Sequence, residues 1–172
     1  TNDITIKTTG EARHSGVWSN QAYRLEAAAT ADYQASIYIQ DDYVKIDGLQ
    51  ISMSPNGQSA TRGIAANTLT ADHNQLLVSA CLIKSNATGG NAQGIASFDP
   101  DANFKIWNNL VYDFSGYCVT GGNRFYIYNN TFYRCGTGIS SGGALIKNNA
   151  AFDSTSGFDF ANSFNSESTH NA

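Results

Sequence analysis

The chain has 172 residues, with 10 Lys and Arg against 14 Asp and Glu for a formal net charge of −4; charged residues make up 14% and hydrophobic residues 41%. That length sustains one domain with a core and is short for two, while the hydrophobic content excludes a disordered tail and the low charge a coiled coil. Without a run of basic residues nucleic acid is not an expected partner, and no apolar stretch approaches the roughly 20 residues that span a bilayer.

Residues 1–35 read as an irregular first coil. They hold one alternating run, Ile4-Thr5-Ile6, an aromatic-containing segment from Val17 to Leu25, and an alanine cluster at Ala27–Ala31 too short and uncapped for a helix. The chain opens at Thr1 without a Met or a signal peptide, which places any targeting segment upstream or already removed. From Ser36-Ile37-Tyr38-Ile39 onward the sequence repeats. Five eight-residue segments share one register: Val44–Ile51, Leu76–Ile83, Phe104–Val111, Phe125–Phe132 and Ala144–Ala151. Each opens with apolar, variable, Ile or Val, variable, the period of two expected of a strand with one buried face. The third position reads Ile46, Val78, Ile106, Ile127, Ile146, at intervals of 32, 28, 21 and 19 residues, so loops of unequal length interrupt a constant rung. A second signal, Gly followed by an apolar residue, recurs at Gly63-Ile64, Gly94-Ile95, Gly116-Tyr117, Gly138-Ile139 and Gly157-Phe158. It predicts a second strand in every rung, with the glycine turning the chain through a positive φ. Phe158-Asp159-Phe160 opens a rung that residues 161–172 do not visibly complete, so the regular rungs are placed at 36–160 and the last twelve residues read as an incomplete rung or tail.

Rungs of about 20 residues in shared register stack in parallel, which makes the fold class all-β and the architecture a β-solenoid. In these rungs the chain resembles the right-handed parallel β-helix superfamily that includes pectate lyases, polygalacturonases and phage tailspikes. The resemblance covers about Ser36 to Phe160 and rests on the rung, so it implies a fold and no particular activity. The asparagine pairs fit it. Asn109, Asn130 and Asn149 share a column, continued backward by Leu49 and Cys81, with Asn108, Asn129 and Asn148 in a second column beside it. Amides stacked at about 4.8 Å can hydrogen-bond along a column, which predicts a structural Asn ladder at a bend and a buried thiol at Cys81. Cys118 and Cys135 fall on neighbouring rungs, where pairing depends on a Cα separation the sequence does not supply.

Chemistry on such a solenoid belongs on outward columns. Three residues before each of the first three repeat segments lie Asp41, His73 and Asp101, flanked by Asp72 and Asp99. This acid corner is the catalytic candidate (Asp41, His73, Asp101), and Asp72, Asp99 and Asp101 are the metal candidates. Turns favour Asp and Asn in any case, because their side chains bond the local backbone. No cofactor is expected, calcium at this corner being the one candidate. Family signatures are missing: Asp41-Asp42 resembles the double Asp of polygalacturonases, but there is no Gly-His-Gly, and Arg124 and Arg134, the candidates for a lyase base, lie on rungs beyond the corner. The aromatic residues Trp107, Tyr126 and Tyr128, and just past the strand Tyr112 and Tyr133 with Phe152, are the candidate binding residues, a flat strip for a sugar ring or a protein surface; the alternative is that they pair across strands for stability.

Few charges, many Asn, Ser, Thr and Tyr, and sequons at Asn86 and Asn129 suit a secreted, cell-surface or virion protein, although an Asn-rich chain produces sequons by chance. The expected function is a structural β-helix segment of a fibre, adhesin or tailspike-like protein, part of a longer chain and contacting carbohydrate. Its expected partners are neighbouring copies or the continuing chain at the open solenoid ends, and polysaccharide. The alternative is a polysaccharide lyase or glycoside hydrolase fragment acting through the acid corner.

Overall fold

The computed structural model describes residues 3–67, 75–99, 102–156 and 158–172. Among the described residues eighteen strands form three parallel sheets of six. Sheet A holds β1 (Ile4–Lys7), β4 (Val44–Asp47), β7 (Leu76–Ser79), β10 (Phe104–Trp107), β13 (Phe125–Tyr128) and β16 (Leu145–Lys147). Sheet B holds β2 (Arg24–Ala28), β5 (Gln50–Ser54), β8 (Leu82–Ser85), β11 (Leu110–Tyr112), β14 (Thr131–Tyr133) and β17 (Ala150–Phe152). Sheet C holds β3 (Ala35–Ile39), β6 (Arg62–Ala66), β9 (Gln93–Ser97), β12 (Tyr117–Gly121), β15 (Thr137–Ser141) and β18 (Phe158–Ala161). Each strand pairs with the third strand before and after it, so the chain is a right-handed parallel β-helix.

A rung therefore has three strands, not the two expected. Each eight-residue repeat contains two of them, split by a single left-handed residue: Gly48, Ala80, Asn108, Asn129 and Asn148 have φ of 75, 50, 56, 53 and 56°. One such residue bends the chain from sheet A into sheet B and shifts the inward phase by one position, from Phe104 and Ile106 to Asn109 and Val111, and its shortness hid the bend. Residues 1–35, expected as an irregular coil, carry β1 and β2 and part of a first rung: Ile4 pairs with Val44 and Ile6 with Ile46. As the edge strand of its sheet, β1 leaves Ile4 and Ile6 47% and 41% exposed although they lie in core columns.

The core follows the register. Ile46, Val78, Ile106 and Ile127 are fully buried and Ile146 is 3% exposed. The Phe104 and Phe125 rings pack beside this stack, with centroids 5.0 Å apart. Sheet B contributes Ile51, Ile83, Val111 and Phe132, and sheet C Ile64, Ile95, Val119 and Ile139. Close packing of this kind tolerates little change of volume.

The glycines of sheet C act differently from the expectation. Gly63, Gly94 and Gly138 have ordinary φ, but a Cβ at Gly94 would meet Val111 Cγ1 at 2.4 Å and the Cys118 carbonyl oxygen at 2.5 Å. They are small because the sheets close against each other there. The register also shifts one member, since Val119 pairs with Ile95 and Ile139, which puts Cys118, not Gly116, in the glycine column. Gly157 lies outside the described residues.

Candidate functional site

The bend between sheets A and B carries the polar spine. Asn109, Asn130 and Asn149 are buried. Asn130 Nδ2 donates to Asn149 Oδ1 at 3.0 Å and to the Ile106 and Tyr128 carbonyls at 2.9 Å, and the Asn109 backbone N–H donates to Asn130 Oδ1 at 2.9 Å. The pattern repeats one rung later, where the Asn130 N–H donates to Asn149 Oδ1 and the Asn149 N–H to Asn171 Oδ1. Asn171 in the tail is thus a fourth ladder member that sequence reasoning missed, although Thr169-His170-Asn171-Ala172 mirrors Lys147-Asn148-Asn149-Ala150, with Thr169 bridging to Lys147. At the other end the Cys81 N–H donates to Asn109 Oδ1 and the Cys81 thiol donates to the Ser79 carbonyl, two residues back as an Asn amide does. Burial pushes this thiol up to about 11, opposed by backbone hydrogen bonds from Leu49 and Gly48, so sulfur stands in the acceptor place of an amide and is inert as a nucleophile. The second column differs from expectation: Asn108, Asn129 and Asn148 are exposed and serve by their left-handed backbone, a conformation Asn adopts readily.

A strap of residues 8–23 crosses this bend over the first rungs. The Thr8 hydroxyl donates to the Gly48 carbonyl, and Arg13 Nη1 donates to Asp47 Oδ2 at 2.9 Å, while the Ser79 hydroxyl donates to Asp47 Oδ1 at 2.6 Å. His14 Nδ1 accepts the Gly16 N–H at 3.1 Å, which leaves the ring proton on Nε2, 2.8 Å from the Ala80 carbonyl. The Ser19 N–H donates to Gln50 Oε1 at 2.6 Å, and Gln50 Nε2 returns to the Ser19 and Tyr23 carbonyls.

The five aromatic candidates fall on two faces. Trp107 and Tyr128 pair in register on sheet A, followed by Lys147, and Tyr126 lies in the neighbouring outward column between Lys105 and Leu145; all three rings are half-buried. Tyr112 and Tyr133 belong to sheet B, in the outward column Glu26, Ser52, Lys84, Tyr112, Tyr133, Phe152. Tyr133 and Phe152 have ring centroids 5.1 Å apart, and Phe152 is 48% exposed. Arg134 lies 4.8 Å from the Tyr133 ring centroid and pairs with Asp113 at 2.7 Å. Beside this column runs an open groove of about 950 Å³, lined by Glu26, Lys84, Tyr112, Asp113, Arg134 and Thr155 among others. The strap reaches its rim, since the Lys84 ammonium sits 3.9 Å from the centroid of Trp18. Burial, then the Asp113 charge, raise the Tyr112 hydroxyl above its ordinary value against the opposing pull of Arg134, so it remains a neutral donor and acceptor.

No family model matches the chain, and no curated protein or solved structure matches it.

Of the acid corner, Asp72, His73 and Asp101 lie outside the described residues. Asp41 is exposed just before β4, and Asp99 is half-buried in a turn where its N–H donates to the Ser97 hydroxyl at 3.2 Å. Among the described residues no three His, Cys, Asp or Glu side chains are grouped to hold a metal ion, and no helix is long and apolar enough to cross a membrane. Cys118 and Cys135 form a disulfide with Cα atoms 5.6 Å apart, tying adjacent rungs inside the core. Asn86 is exposed in the loop between β8 and β9, and Asn129 is exposed at the bend.

Proposed function

We propose that this chain is a rigid β-helix segment of an extracellular or virion-surface protein, allied to the pectate-lyase-like superfamily in its rungs, whose sheet B face contacts carbohydrate. The single observation that carries the reading is the outward column Tyr112, Tyr133, Phe152 beside the open groove: flat rings at strand spacing offer stacking surfaces to sugar faces, and Lys84, Glu26 and the Arg134–Asp113 pair offer donors and acceptors to hydroxyls. A core disulfide suits an oxidising compartment and supports the location. The exposed Ile4 and Ile6 of the edge strand support neighbouring rungs, from another copy or a longer chain, as partners at the solenoid end.

The test is affinity electrophoresis against neutral and acidic polysaccharides, comparing the parent with a Tyr112→Ala, Tyr133→Ala double variant of matched thermal stability. Retardation by at least one polysaccharide, abolished in the variant, is the expected result. No retardation by any, or equal retardation of both proteins, overturns the reading, and release of shortened products moves it to a lyase or hydrolase.

A further inference from the structure

Charge is spread unevenly over the faces of this solenoid. Four of the five lysines, Lys7, Lys45, Lys105 and Lys147, stand outward on sheet A, although the whole chain has a formal net charge of −4. The register sets them in two columns across the strands: Thr5, Lys45, Leu77, Lys105, Tyr126, Leu145 in one, and Lys7, Asp47, Ser79, Trp107, Tyr128, Lys147 in the other. Among the described residues no carboxylate forms an ion pair with any of the four. Asp47, the carboxylate within these columns, is taken up by Arg13 and the Ser79 hydroxyl. At the margins Asp3 shares a small pocket with Lys45, and the charge of Glu167 in the tail reaches Tyr128. The face stays positive on an acidic molecule.

We propose that the outward face of sheet A is a second binding surface, for an acidic polysaccharide laid along the helix axis, its carboxylates meeting Lys45, Lys105 and Lys147 in turn and its sugar faces meeting Trp107, Tyr126 and Tyr128. The surface is separate from the sheet B groove and does not rest on it. Charge complementarity calls for an anionic partner, and the spacing selects among anions. Lys45 and Lys105 lie two rungs apart, as do Lys105 and Lys147, which is about 10 Å along the axis at the strand spacing. Duplex DNA carries a phosphate about every 1.7 Å of its axis, far denser than one ammonium in two rungs. A polymer with its carboxylates on successive or alternate sugars is a sparser match. An anionic bilayer is gripped by inserted apolar side chains as well as by cations, and none of the large apolar residues exposed among the described residues stands outward on sheet A, since Ile4 and Ile6 lie in core columns. The rings supply what a point charge lacks, a flat surface between the lysines. Burial, then the Tyr126 and Glu167 charges, raise the Tyr128 hydroxyl above its ordinary value, so it stays a neutral donor and acceptor.

Alginate, a polymer of uronic acids, is the acidic probe and dextran the neutral one. Trp18 and Trp107 are the two tryptophans, so a Trp18→Phe background leaves Trp107 as the reporter. Alginate is expected to change its emission, with an affinity that falls as salt shortens the screening length below about 10 Å, and dextran to leave it unchanged. In the same background Lys105→Gln is expected to raise the dissociation constant for alginate about threefold to fivefold, and Lys105→Gln with Lys147→Gln to carry the rise past about tenfold. Lys84→Gln removes an equal charge from sheet B and is expected to leave the constant near that of the parent. No response of Trp107 to alginate, a response indifferent to salt, full affinity in the double variant, or an equal loss in Lys84→Gln overturns the proposal. Tighter binding of duplex DNA or of phosphatidylserine vesicles at the same salt overturns it as well. The Trp107 response to alginate and salt needs no charge variant, so it decides the matter should the double variant fail to fold. With alginate held on sheet A, the neutral polysaccharides are the probes that report on the sheet B groove.

Discussion

The bend between sheets A and B is built in two ways along one molecule. In the later rungs it is self-sufficient: Asn109, Asn130, Asn149 and Asn171 pass hydrogen bonds from rung to rung, and Asn108, Asn129 and Asn148 supply the left-handed turn. In the early rungs the ladder positions are Leu49 and Cys81, the turn residues are Gly48 and Ala80, and the polar work falls to a strap that brings Thr8, Arg13, His14 and Ser19 from elsewhere in the chain. The same backbone demand, a left-handed residue followed by an inward residue with an N–H to place, is met locally in one region and from a distance in the other. A repeating solution is stiff and indifferent to pH. A borrowed one carries titratable groups and is open to modulation.

The largest effect expected is common to both regions, because the core does not distinguish them. Ile127→Ala removes a fully buried side chain that packs against the rungs on both sides, and is expected to lower stability by about 2 to 5 kcal/mol in a denaturant melt. A loss below about 1 kcal/mol contradicts the continuous aliphatic stack. Next comes the staple in the later rungs. Cys118→Ala with Cys135→Ala releases a cross-link over a separation of 17 residues and is expected to cost about 3 kcal/mol. Melting of oxidised and reduced parent checks it independently.

The comparison is sharpest at the ladder. Asn130→Leu leaves the Asn109 N–H and the Ile106 and Tyr128 carbonyls without their amide partner inside the core, with an expected cost of about 1 to 3 kcal/mol. Cys81→Asn runs the other way: an amide takes over the acceptor and donor places that the thiol fills, so stability is expected to stay level or rise. A Cys81→Asn protein destabilised as much as Asn130→Leu breaks the equivalence of thiol and amide. The smallest effect belongs to the strap in acid. The hydrogen bond from Arg13 holds the Asp47 carboxyl below its usual range, opposed by burial and helped by the Ser79 hydroxyl and the Arg13 and Lys45 charges. Its contribution is present above the unfolded value of about 3.9 and is lost as pH falls through the folded one. Asp47→Asn is expected to flatten that part of the stability profile and leave the neutral part of the curve with its shape.

What the sequence made legible was what repeats. The column Ile46, Val78, Ile106, Ile127, Ile146 stands out because every rung needs an inward aliphatic there, and the Asn column because each amide is the partner of the next. The third sheet was hidden, since the left-handed bend inside Val44–Ile51 or Phe104–Val111 takes a single residue, Gly48 or Asn108, and shifts the inward positions by one with no loop to mark it. The role of Gly63, Gly94 and Gly138 was misread because a missing Cβ looks the same in sequence whether the need is a positive φ or room beside Val111 and Cys118. The aromatic residues were legible as outward but not as two faces: Trp107 and Tyr112 are five residues apart, and only the bend at Asn108 puts one on sheet A and the other on sheet B. The strap was illegible altogether, because it contacts residues of other rungs and repeats nothing.

Backbone amide hydrogen exchange, residue by residue, tests the bend most directly. The N–H groups of Cys81, Asn109, Asn130 and Asn149 donate to side-chain oxygens of the next rung and to no strand carbonyl, so they are expected to exchange as slowly as the central residues Val78, Ile106 and Ile127 of the neighbouring strands. Exchange of Asn109 and Asn130 at the rate of exposed loop residues such as Asn86, with the neighbouring strands protected, contradicts a ladder that carries the bend from rung to rung.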